Sequence, residues 1–124
     1  YVVIDRYPQA TLPKDILVAE IAGPLFFADA APFRESVLEM VEEQKPRAVV
    51  IDLGPATFMD MDGAGIISKL GEELGRKNIR VALARVGAEE MALLERTGTI
   101  DLLGANSVHE TVRSAVAEME IRPA

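Results

Sequence analysis

Asp60 and Asp62 stand one residue apart in FMDMDGAG, residues 58–65, with Gly63 directly behind them and the apolar run AVVIDL a few residues ahead. Two Asp flanking one residue before a Gly resemble the signature of an aspartyl phosphatase, in which one carboxylate attacks phosphorus and the other serves as acid and base. The same residues also suit a helix entrance. A carboxylate accepts the free N–H groups of a first turn and interacts favourably with the positive end of the helix dipole. The two readings lead to an enzyme and to a binding module.

The rest of the chain favours the second reading. Phosphoryl transfer of this kind needs a downstream Lys to neutralise the phosphate and further carboxylates to hold magnesium. Ala64 follows Gly63 where that signature usually has Thr, and the run IRVALA, residues 79–84, leads into Arg85-Val86-Gly87 with no carboxylate. Gly54 and Pro55 break the preceding apolar strand near Leu53, which removes Asp60 from its tip. The chain is therefore expected to be no enzyme, with no catalytic residue, cofactor or metal. The two carboxylates occupy the electropositive corner that an anion would need.

Periodicity places this turn between a strand and a helix. VVID, 2–5, and ILVAEI, 16–21, read as strands joined by a connection through Pro8 and Pro13 that should not be helical. A helix is expected from about Ala30 to Gln44, with Asp29 as N-cap, Pro32 in its first turn and Phe33, Val37, Met40 and Val41 on one face. RAVVIDL, 47–53, is apolar on both faces, as a central strand would be. A second helix from about Asp62 turns Ile66, Ile67, Leu70 and Leu74 inward, and Gly75 is placed to end it in the left-handed conformation. IRVALA is a third long strand, and a short helix from Ala88 to about Arg96 stops at Gly98. Ser107 with Glu110 forms a capping box that would open a last helix with Val108, Val112, Ala115, Val116 and Met119 inward.

That order predicts an α/β fold: a small mixed, mostly parallel β-sheet of about four strands with about four helices, its first strand free to pair antiparallel at an edge. With 124 residues a single domain is expected over 1–124, with residues 1–15 read as an edge strand plus a mobile connection. It opens on Tyr1 and shows no leader, so it reads as a piece of a longer protein. The net charge of −7 disfavours nucleic acid and direct binding to an anionic lipid surface. Zero Cys and one His argue against structural zinc, disulfides and thiol catalysis, and the lack of Cys fits the cytoplasm.

The motif order resembles the STAS domain, shared by sulfate and anion transporters of the SulP family and by bacterial anti-sigma factor antagonists. In that family a strand ending Asp-Leu leads through a short loop to Phe-x-Asp-Ser-Ser/Thr-Gly and a helix, an outline that IDLGPATFMDMDGAGIISKL follows. DILVAEIAGPLFFADAAPFRESVLEMV is similar to the SulP branch, where Ile-x-Gly-Pro-Leu-Phe-Phe-Ala precedes the first helix. The resemblance implies a non-catalytic regulatory, protein-interaction domain at the cytoplasmic face of the membrane, whose partners are the membrane domain of its own transporter and other proteins. The alternative is a free-standing antagonist-like protein that binds a partner kinase. Met61 and Asp62 fill the two Ser positions, so the hydroxyl phosphorylated in antagonists is absent and only constitutive binding remains. Nucleotide binding, proposed for STAS-like domains, has no recognisable phosphate loop to support it here.

The resulting partner-binding and regulatory candidates are Asp60, Met61, Asp62, Gly63 and Ala64, with Phe26 and Phe27 as a second docking patch, one turned inward and one partly exposed. Met59 and Met61 flank Asp60 as adaptable contact residues. His109 reads as a solvated helix residue, and Arg76, Lys77 and Arg80 as a solvated basic cluster.

Overall fold

The structure, a computed structural model, describes residues 2–4, 13, 15–21, 23–25, 27–104 and 106–121. Most of the expected connection between the first two strands, and Phe26 of the second patch, lie outside the described residues.

Seven strands and five helices follow in the order β1 (Val2–Ile4), β2 (Ile16–Ile21), β3 (Gly23–Leu25), α1 (Phe27–Gln44), β4 (Ala48–Asp52), β5 (Ala56–Met59), α2 (Met61–Gly75), β6 (Arg80–Ala84), α3 (Ala88–Arg96), α4 (Thr99–Leu103), β7 (Val108–His109) and α5 (Val112–Ile121). The fold is the mixed, mostly parallel α/β class the sequence predicts. Its main sheet runs β1-β2-β4-β6-β7, and β3 and β5 form a separate two-stranded ribbon. β1 is the antiparallel edge, Val2 opposite Ile21, and every other pair in the main sheet is parallel.

Alternation along the strands sends side chains to opposite faces of the sheet. Leu17, Ala19, Val49, Ile51, Val81 and Leu83 meet Phe33 and Val37 of α1 and Ile67, Leu70 and Leu74 of α2. Ile16, Val18, Val50 and three alanines, Ala48, Ala82 and Ala84, meet Ala115, Val116 and Met119 of α5. The central strand β4 is buried along its whole length, as its two-sided apolar pattern requires.

Several local expectations are corrected. α1 starts at Phe27, so Asp29 lies inside the helix and Pro32 beyond its first turn. The alanine-rich run after β3 propagates helix backwards, and nothing in it stops the helix at Asp29. Gly75 is the last helical residue of α2, and Asn78 takes the left-handed conformation with φ 62°. Ile79 N–H reaches Leu74 O at 2.9 Å and Asn78 N–H reaches Gly75 O at 3.0 Å, the paired bonds of a Schellman ending, in which Asn is the usual substitute for Gly.

Ser107 does not cap the last helix. The Ser107 and His109 carbonyls accept from Leu83 and Arg85 N–H, at 2.7 and 3.0 Å, so this stretch extends the sheet as β7 and satisfies the open side of β6. Val108 and His109 are therefore strand residues, and α5 begins three residues later, where Thr111 Oγ1 accepts from Ser114 N–H at 3.0 Å. The short helix α4 and the β3–β5 ribbon lacked a readable period, since elements of three to five residues give too few repeats.

Candidate functional site

The FMDMDGAG turn joins the ribbon to α2. Asp60 is the N-cap: it has extended backbone, φ −100° and ψ −177°, and its Oδ1 accepts from Gly63 N–H at 2.8 Å. Its carbonyl accepts from Ala64 N–H at 3.0 Å, the first helical bond. Gly63 and Ala64 are buried, and Ala64 packs into the core against the α1 and α2 side chains. The half-buried carboxylate is thus held by the backbone, as the helix-entrance reading of the sequence required. Asp62, in the first turn, is exposed and complements the dipole.

Hydrophobic side chains surround this cap on the outside. Phe58 is 48 % exposed and Met61 60 % exposed, two of three large apolar residues exposed among those described. Met59 is different. It is 6 % exposed and belongs to the core, which removes it from the contact residues expected around Asp60. On a strand, neighbouring side chains point to opposite faces, so Phe58 and Met59 could not both be outside.

The ribbon brings two distant motifs side by side. β3 and β5 run parallel with Pro24 opposite Phe58 and Leu25 opposite Met59, so the GPL segment lies against the strand that delivers Asp60. Phe27 opens α1 two residues after Leu25, and of it only the backbone is described.

Beneath the turn lies a clamp that sequence reasoning missed. Asp52, the last residue of β4, is fully buried. Its Oδ1 accepts from Arg85 Nε at 2.9 Å and from Gly54 N–H at 2.9 Å, and its Oδ2 accepts from Arg85 Nη2 at 2.7 Å. This forked pairing ties the exit of β6 to the loop that leads into β5. Arg85 adopts φ 56°, a conformation unfavourable for a residue with a Cβ. The guanidinium lies over Gly54, where an added Cβ would come within 2.3 Å of Arg85 Cζ. A buried Asp at a strand end, followed two residues later by Gly, was the only available signal, and its partner lies 33 residues away.

A second ion pair fixes α1 to α2. Arg34 donates to both oxygens of Glu73, at 2.7 and 2.6 Å. Those hydrogen bonds, aided by the nearby positive charge, hold the Glu73 carboxyl below its ordinary range, and they raise Arg34 correspondingly. Ser68, a nearby hydroxyl on α2, is 2.5 Å from the buried Thr99 Oγ1, which also meets Thr97 Oγ1 at 2.8 Å. A phosphate there would break this link between α2 and α4. Among the described residues no group of three or more His, Asp and Glu is placed to hold a metal. Nor is any described helix long and apolar enough to cross a membrane.

A capped polar turn, an exposed apolar pair and a buried clamp thus lie at the entrance of α2. The chain belongs to the STAS domain family, whose model matches residues 7–115. It is 28 % identical over 124 residues to sulfate transporter 3.2 of Arabidopsis thaliana, covering 92 % of this chain and 19 % of that protein. It spans about a fifth of the length of such curated relatives. The SulP transporter STAS domain from Vibrio cholerae superposes with a TM-score of 0.73 at 25 % identity, over 90 % of this chain and 89 % of that one. The unphosphorylated anti-sigma factor antagonist SpoIIAA shares the fold, with a TM-score of 0.77 at 13 % identity and full coverage of both chains.

Proposed function

We propose that this chain is a non-catalytic regulatory domain of a SulP-type anion transporter, held at the cytoplasmic face of the membrane, and that it docks on protein through the turn at 58–65. Its partners are the membrane domain of the same transporter and other proteins. The observation that carries this reading is the pairing of exposed Phe58 and Met61 with a rigid cap at Asp60. Large apolar side chains held on a fixed backbone lose little freedom on binding, which is how contact anchors act. Asp62 places a permanent negative charge beside them, where the antagonist motif has a phosphorylatable Ser.

The test is co-purification of the chain with the membrane-spanning part of a SulP transporter that carries it. Met61→Glu and Phe58→Asp should each abolish retention while the circular dichroism spectrum stays unchanged. Retention unaffected by both would exclude this turn as the docking surface. A magnesium-dependent aryl phosphatase rate lost in Asp60→Asn would overturn the non-catalytic reading. Retention of an anti-sigma kinase instead would favour the antagonist-like alternative.

A further inference from the structure

All sulfur in this chain is thioether, since it has five Met and no Cys. Four of the five are sheltered. Met59 and Met119 are buried in the core on opposite faces of the sheet, and Met40 and Met91 are half-buried on α1 and α3. Met61 alone is exposed, at 60 %. We propose that Met61 is a reversible oxidation site, and that its sulfoxide releases the docking turn from its protein partner. The inference rests on the docking reading above and adds the chemistry that regulates it.

Local structure keeps this sulfur open. Met61 is the first residue of α2, just after the Asp60 cap that accepts from Gly63 N–H. Helical side chains lean back toward the N-terminus, so the residue four positions on is the one placed to cover Met61. That residue is Gly65, which is exposed and whose added Cβ would meet nothing within 4 Å. Glycine is a poor helix former, and neither packing nor a left-handed backbone requires it here. Asp60 and Asp62 flank Met61 in a chain of net charge −7, which repels an anionic oxidant and leaves an uncharged one unhindered.

Hydrogen peroxide meets that requirement. A lone pair of the thioether attacks one peroxide oxygen, an S–O bond forms as the O–O bond breaks, and water leaves, so sulfur loses the two electrons that the peroxide gains. A sulfoxide reductase reverses the step with two thiols, which become a disulfide while the oxygen leaves as water. The product carries a strongly polar S–O group where the thioether offered an apolar, adaptable contact, and burying that group against an apolar partner leaves an acceptor unpaired. Because Met61 lies outside both core clusters, its oxidation alters the surface and spares the fold, whereas oxidation of Met59 or Met119 would break packing.

The experiment treats the 124-residue chain with hydrogen peroxide, maps each methionine by peptide mass spectrometry over time, and then measures retention by the membrane-spanning part of a SulP transporter that carries it. Met61 should gain one oxygen before any of the other four methionines, with the melting temperature unchanged. Retention should fall at least about tenfold, the scale of losing one contact anchor, and methionine sulfoxide reductases with dithiothreitol should restore it. Met61→Leu should be retained like the parent both before and after peroxide. The proposal is overturned if Met40 or Met91 is oxidised as fast as Met61, if oxidation at Met61 leaves retention unchanged, or if peroxide releases Met61→Leu as readily as the parent. Phe58→Asp separates that failure from failure of the docking reading: its retention is lost in the first case and kept in the second.

Discussion

The two ends of α2 solve opposite problems. Near its start two carboxylates are engaged: Asp60 caps the helix, and Asp52 at the end of β4 is gripped by Arg85 and the Gly54 N–H. At its end, a Schellman turn closes the backbone and glycines leave room beside it. The first end is held by hydrogen bonds to one buried and one half-buried carboxylate, and its outer surface carries Phe58 and Met61. The second end is defined by side chains that are missing. Loss of the cap or of the clamp at the first end should therefore cost stability, whereas a side chain added at Gly75 enters open space and should leave stability intact.

The clamp offers the largest test of that contrast. Arg85→Ala leaves the Asp52 carboxylate without its forked partner, and the expected loss is about 3 kcal/mol, the lower end for a broken buried pair because water can take the place of a half-exposed guanidinium. Arg85→Gly should recover about 1 kcal/mol of that loss, since φ 56° suits glycine. Urea denaturation measures both, and a loss below about 1 kcal/mol in Arg85→Ala would place the start of α2 among ordinary surface sites.

Asp60→Ala should cost about 0.5 to 2 kcal/mol, the usual effect of losing an N-cap, and Asp60→Asn much less because it keeps an acceptor for Gly63 N–H. Equal losses in the two variants, read from the same denaturation curves, would show that charge rather than capping holds the turn.

A smaller effect is expected from the Arg34–Glu73 pair. The folded carboxyl titrates below its unfolded value, so its contribution is fully present above the ordinary Glu range near pH 4.3 and is lost as pH falls through the lower, folded value. Melting temperatures of the parent chain and Arg34→Gln should differ at pH 6, and the difference should shrink steadily as the pH is lowered below the ordinary Glu range. A gap that persists in acid would assign the effect of Arg34 to packing.

Asp62→Ser should stay within about 0.5 kcal/mol of the parent, as expected for an exposed position, while altering retention by the membrane-spanning partner. If Asp62→Ser destabilises the chain and retention is unchanged, the division between a structural Asp60 and a regulatory Asp62 is wrong.

The sequence by itself determined the long elements: short, nearly continuous apolar runs too brief for helices marked β2, β4 and β6, and apolar residues three to four apart marked α1 and α2. It also determined the helix entrance at Asp60, since a cap bonds to a residue only three positions on. Tertiary structure decided the rest. Whether Ser107 opened a helix or extended a sheet depended on β6 offering an unsatisfied edge, and the turn after α2 put the left-handed residue at Asn78, next to the start of β6, rather than at Gly75. Pairing of β3 with β5, of Asp52 with Arg85 and of Arg34 with Glu73 joins residues 33 to 39 positions apart. No local pattern specifies such partners: they are selected by which chain segments the packed core brings within hydrogen-bond reach.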